Sequence, residues 1–275
     1  MTSQVAIVKG ERGHDPVFKA LDLVDYKSAL SGWDTVLIKV NFITVKTWDT
    51  GATTDPIVVE ALINKFKDLS VKVCIVESDA TVTNADKAFE MTGMNEMARR
   101  NGVECINLRH VRDRVKIEIP HGETLNSITV PRIVKESAIV SAAKLKTHTS
   151  TKVTLGMKNM FGLLPDKMKG KYHLRGISNV IVDINTVLKP ALTVIDGFVG
   201  MEGRGPSNGT PVKMDLIIAG RDVVATDATA SRIMGFDPHE IKHIRRAQEK
   251  GLGSIDDVCI LGEKLESVTR PFLRS

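Results

Sequence analysis

The chain has 275 residues, 42% of them apolar and 26% charged, with a formal net charge of +5. A chain this long buries a sizeable core without staples. Its three cysteines, Cys74, Cys105 and Cys259, are too scattered for a disulfide framework, a cysteine zinc site or an iron–sulfur cluster held by this chain. No run approaches the roughly 20 apolar residues of a membrane span, the first residues lack the features of a signal peptide, and two Trp and two Tyr are too few for base-stacking platforms. The expectation is a cytoplasmic chain with no membrane partner, and nucleic acid is disfavoured as a ligand.

In chain order, short apolar or β-branched runs at residues 5–8, 35–40, 71–76, 103–108, 138–142, 192–195, 216–219 and 258–261 predict buried strands. Helical periodicity fills several intervals: 56–69, with Asp55 as cap before Pro56; 86–100, closing on Asn101-Gly102; 177–188, ending at Pro190; and 222–234, closing at Gly235. Residues 111–134 break the rhythm. They alternate polar and apolar around Pro120-His121-Gly122 and predict an inserted β-hairpin. The reading is an α/β fold, a mostly parallel sheet with helices on both faces, forming one unit over residues 1–275.

Ligands of such sheets bind beyond the carboxyl ends of strands, so the segments after strands carry the functional reading: 41–55, 77–84, 144–158 and 197–211. Lys39 sits inside a buried-looking strand and needs either a partner or a polar site, with Asn41 directly after it. Thr53 and Thr54 precede a helix N-terminus, where an anion is favoured; an ordinary Thr/Asp cap explains them equally well. Glu77-Ser78-Asp79 places two carboxylates at a strand end, for a cation, a substrate hydroxyl or turn chemistry.

The charge is concentrated. Residues 144–175 hold Lys144, Lys146, Lys152, Lys158, Lys167, Lys169, Lys171 and Arg175 against Asp166 alone, so this segment carries +7 and the rest of the chain −2. A solvated basic loop is the plain explanation. The interleaved Met157, Met160, Phe161, Leu163 and Leu164 argue instead for a buried anion site. In Lys144-Leu-Lys146-Thr147-His148, Lys144 and Thr147 are expected to bind the ligand, while Lys146 and His148, together with Lys158, are the candidate catalytic groups. His148 is assigned acid/base work. Asn159, Asp196 after its strand, and Gly203 and Gly205 in a glycine-rich loop complete the candidate binding set. That loop lacks the G-x-G-x-x-G spacing, and no Walker sequence or G-x-S-x-G elbow occurs. His239-Glu240-Ile241-Lys242-His243 fits the zinc-protease pattern formally. On a continuous helix both histidines would face outward with Arg246 and Lys250, so no metal site is expected.

Several segments together, Val36-Leu-Ile-Lys-Val-Asn-Phe42, Thr53-Thr-Asp-Pro56, Lys144-Leu-Lys-Thr-His148, Gly156-Met-Lys-Asn-Met-Phe-Gly162, Val194-Ile-Asp-Gly197 and Ala225-Thr-Asp-Ala228, occur in an order that resembles the domain-of-unknown-function family 362. Many members of that family carry an added ferredoxin module, which implies redox work; the cysteines for it are absent here. Residues and resemblance together predict a protein binding a small phosphate- or carboxylate-bearing substrate or cofactor, acting as an enzyme of redox, isomerase or lyase type. The alternative is a non-catalytic cofactor-binding or accessory protein. A homo-oligomer or a redox partner protein stays open, and the cofactor is unknown.

Overall fold

The computed structural model describes residues 2–166 and 169–274; Lys167 of the basic segment lies outside them. Its strands are β1 (Ser3–Lys9), β2 (Thr35–Lys39), β3 (Lys72–Glu77), β4 (Glu104–Asn107), β5 (Arg114–Glu118), β6 (Ser127–Pro131), β7 (Ala138–His148), β8 (Lys152–Val153), β9 (Leu192–Glu202), β10 (Thr210–Gly220) and β11 (Val258–Gly262). Nine form one sheet in the order β11-β1-β10-β9-β7-β2-β3-β4, with β8 added to β7. The pairs β1–β11, β9–β7, β7–β2, β2–β3 and β3–β4 are parallel, whereas β10 runs antiparallel to both neighbours. β5 and β6 pair as the separate hairpin that their alternation predicts.

Both faces are covered, as expected of near-continuous apolar strands. Helices Asp15–Leu23, Pro56–Phe66, Ala85–Met91 and Met94–Arg100 pack on one face, in a core with Val36, Ile38 and Ile75. Helices Leu155–Asn159, Ile177–Val187, Val223–Ile233 and Lys242–Glu249 cover the other, with Leu37, Val76 and Ile195. No helix among the described residues is long and apolar enough to cross a membrane.

Local chemistry sets the helix bounds. Asp55 caps Pro56–Phe66 by accepting from the Ile57 N–H, and Asp222 caps Val223–Ile233 through the N–H groups of Val224 and Ala225. The helix predicted over 86–100 is two helices, because Gly93 takes φ +78°, a left-handed conformation that ends one and starts the next. The zinc-protease pattern also breaks. His239 lies in the 3-10 turn Pro238–Glu240, Ile241 is extended, and the helix begins only at Lys242. His239 is therefore half-exposed against Asp256 at 2.9 Å, whereas His243 is fully buried rather than outward-facing. The two do not share the helix that the pattern requires.

The strand order gives the sheet a switch point. From β2 the chain proceeds through β3 to β4 on one side, then returns to place β7 and β9 on the other. Such reversals leave a crevice at the carboxyl ends of the two central strands, here β2 and β7.

Candidate functional site

The basic segment is not a loop. β7 continues to His148, six residues beyond its apolar run, with every residue buried. A two-residue antiparallel strand and the helix Leu155–Asn159 follow directly. This helix is anchored at its start by Asp227, whose carboxylate accepts the N–H groups of Gly156 at 2.7 Å and Met157 at 2.8 Å. Burial raises the Asp227 carboxyl to about 7, against the lowering effect of those two hydrogen bonds. Gly156 is required there, because a Cβ would meet Thr193 and Asp227.

A cavity of about 120 Å³ opens at the carboxyl ends of β2, β3 and β7, walled by Lys39, Glu77, Lys146, His148, Lys158 and Lys169. Lys39 is buried in β2 and donates to Glu77 at 2.7 Å, to the Val40 carbonyl at 2.6 Å and to Asn159 at 3.2 Å. Glu77 is fully engaged, since Oε2 also accepts the Phe42 N–H and Oε1 the Ser78 N–H. Gly162 closes over this pair so tightly that a Cβ would strike the Lys39 amine and Glu77. Asn159 braces the floor, donating to the Lys39 carbonyl and to Ser141 and accepting from Asn41 at 3.0 Å.

The remaining cations have no carboxylate partner among the described residues. Lys146 is fully buried and donates only to carbonyls, of Ala52 at 2.5 Å and Pro206 at 3.2 Å. Burial, then the charges of Lys158 and Lys144, hold its amine well below the ordinary lysine value. Lys169 donates to Ser78 at 2.7 Å, and burial lowers it to about 8. Lys158 is lowered to about 8 by burial and by the charges of Lys169 and Lys39. His148 is pushed down to about 2, by burial first and then by Lys158 and Lys146. It is therefore neutral, and since Nδ1 accepts the Ser150 N–H at 3.0 Å, the ring proton sits on Nε2. Asn41 Oδ1 and Thr154 Oγ1 are buried without hydrogen-bond partners, and both residues line the cavity.

Of the residues singled out in the sequence, Lys39, Asn41, Lys146, His148, Lys158 and Asn159 thus come together. The other proposed catalytic and binding residues lie outside the lining. Lys144 pairs with Asp196 across β7 and β9 at 2.7 Å, both fully buried, and Asp196 also accepts the N–H of Asp55. The hydroxyl of Thr53 donates to the Lys46 carbonyl, and that of Thr54 donates to the Ala142 carbonyl while accepting the Asn41 N–H, stitching the β2 loop to β7. Thr147 donates to the Gly203 carbonyl at 2.9 Å, and Gly205 packs where a Cβ would overlap the Thr147 backbone. These contacts hold the β9–β10 turn on β7 and carry the Pro206 carbonyl to Lys146. Glu77 and Ser78 enter the site from the strand-end acidic cluster. Lys169 and His173 enter from the basic window, whose charge excess was their only signal.

The sequence has a curated relative. Thylakoid-associated protein sll1697 from Synechocystis sp. is 27% identical over 229 residues, covering 80% of this chain and 68% of its own. No solved structure matches the chain. A family model described as a domain of unknown function, DUF362, matches residues 36–232, a span that holds every wall of the cavity and the Asp227 anchor. The chain belongs to the DUF362 family.

Proposed function

We propose that this cavity binds a small phosphate- or carboxylate-bearing molecule and that the protein is an enzyme acting on it. The observation that carries this reading is the charge balance of the walls: Lys146, Lys158 and Lys169 surround a space in which the one carboxylate, Glu77, is already taken by Lys39. Buried charge without a counter-charge is costly and is tolerated where a ligand supplies the opposite sign. Lys146 and Lys169, held in place by carbonyl and hydroxyl acceptors, are amines that an arriving anion would hold in the charged form. The His148 Nε2–H adds a neutral donor.

The perturbed amines also supply chemistry. An amine lowered to about 8 exchanges protons readily near neutral pH, the range for general acid–base work. In the free site these lysines are better placed for proton transfer than His148, which stays neutral and whose Nδ1 is occupied. An arriving anion favours the charged form of each neighbour, so binding takes up protons. Titration calorimetry with inorganic phosphate in buffers of different ionisation enthalpy tests this directly. Saturable binding with net proton uptake is expected, and no binding by phosphate, pyrophosphate or small carboxylates removes the proposal.

A further inference from the structure

The four lysines at the cavity are not equivalent. Lys39 is tied to Glu77, Asn159 and a carbonyl, Lys146 to two carbonyls, and Lys169 to the Ser78 hydroxyl. The Lys158 amine alone among them has no hydrogen-bond or ion-pair partner among the described residues. It stands on the rigid helix Leu155–Asn159, fixed at its start by Asp227 and at its end by the Asn159 bonds into β2 and β7. Lys158 is part-buried, with its amine at the cavity among other cations, and a lysine flanked by cations is an activated nucleophile toward carbonyl carbon.

We propose that Lys158 captures the carbonyl carbon of a small oxo acid or oxo phosphate as an imine, the acidic group being held by Lys146 and Lys169. This rests on the anion-binding reading above and names its substrate class. The neutral amine attacks the carbonyl carbon, forming a C–N bond as the C=O π pair moves to oxygen. The oxygen takes a proton from the Lys169 ammonium, and the resulting Lys169 amine takes one from the nitrogen, giving a carbinolamine. Lys169 then returns that proton to the hydroxyl, and water leaves as the nitrogen lone pair forms the C=N bond, Lys169 ending as the neutral amine. The sum is carbonyl plus ammonium giving protonated imine plus water, with no change of oxidation state. The Thr154 hydroxyl, buried and unpartnered at the same cavity, and the His148 Nε2–H are donors for the carbinolamine oxygen. A protonated imine withdraws electrons from the adjacent carbon, which equips this site for proton abstraction or C–C cleavage beside the former carbonyl.

The test is reductive trapping at neutral pH. The full chain is incubated with pyruvate or, separately, dihydroxyacetone phosphate, each with cyanoborohydride, and the adduct is located by peptide mass spectrometry. One reduced adduct per chain at Lys158 is expected, formed at least tenfold faster than at the exposed Lys152, and lost in Lys158→Arg. Trapping with one probe and not the other assigns the acidic group as carboxylate or phosphate. Phosphate affinity of the wild-type chain is measured alongside. If phosphate binds but labelling is absent or spread evenly over exposed lysines, carbonyl capture is overturned and the anion reading stands. If neither binding nor adduct is seen, both fall. Because the labelled residue is mapped in the wild-type protein, a variant that fails to fold does not decide the outcome.

Discussion

Lys144 and Lys146 lie two residues apart on one strand, and both are fully buried. Lys144 faces Asp196, which also ties the Asp55 backbone, while the Asp55 carboxylate grips Arg12 through two hydrogen bonds at 2.6 and 2.9 Å. That region is electrically closed, each charge meeting its opposite inside the protein. Lys146 hydrogen-bonds only to carbonyl dipoles among the described residues, with the charges of Lys158, Lys144 and Lys39 acting on it. The same residue type on the same strand thus serves cohesion in one place and, on the proposed reading, recognition in the other. What separates the two environments is whether a carboxylate is built in.

The sharpest way to break the contrast is to open the closed region. Asp196→Ala leaves Lys144 buried without its partner and should lower the unfolding free energy by about 3–5 kcal/mol, read by urea denaturation. On the open side, Lys146→Met removes a charge that has no carboxylate partner. Its loss of stability should be clearly smaller, while phosphate affinity should fall ten- to a hundredfold in calorimetry, about 1.5–3 kcal/mol for a charge-assisted hydrogen bond. Equal destabilisation by the two substitutions would erase the distinction. Between the regions stands the Lys39–Glu77 pair, closed yet part of the cavity wall. Gly162→Ala forces a methyl group against it and should cost about 1–3 kcal/mol of stability.

Acidity sharpens the comparison further. Lys158 and Lys169 titrate at about 8 in the folded chain, against an ordinary lysine value of 10.5. Between those values the unfolded chain binds more protons than the folded one, so the ligand-free protein should gain stability as pH rises through that window. Anion affinity should move oppositely, weakening as pH passes about 8 and the amines lose their charge. The smallest effect belongs to the surface: His239→Ala removes an exposed contact to Asp256 and should leave the unfolding midpoint unchanged.

The strands and most helices were legible because burial on two faces writes continuous apolar runs, and caps such as Asp55 and Asp222 are local signals. The site was legible as a charge excess with apolar residues inside it. Its true extent was not. β7 runs on through Lys144-Leu-Lys-Thr-His148, a stretch whose polar pattern contradicts a buried strand, and local rules fail most readily where function overrides them. The sorting of Lys144 from Lys146 depends on Asp196 and Ala52, set by tertiary contact. The outward placement of His239 and His243 on one continuous helix failed because Asp237 caps a short turn through the His239 N–H, so the helix starts after the first histidine. The anchoring of the site helix by Asp227 depends on a residue 71 positions beyond Gly156.

The strand order has a consequence for how the molecule is assembled. Among the described strands β1 precedes the others in sequence and pairs only with β10 and β11, Val5 lying opposite Gly220 and Ile260. During translation its edges stay unsatisfied until β10 and β11 have emerged. β1 then docks between those two distant strands, while β2, β3 and β4 can already associate from neighbouring stretches of sequence. Closure across such sequence distances is entropically slow. Folding should therefore run in two stages, an early association of the parallel strands β2, β3 and β4 followed by late insertion of β1, antiparallel to β10 and parallel to β11.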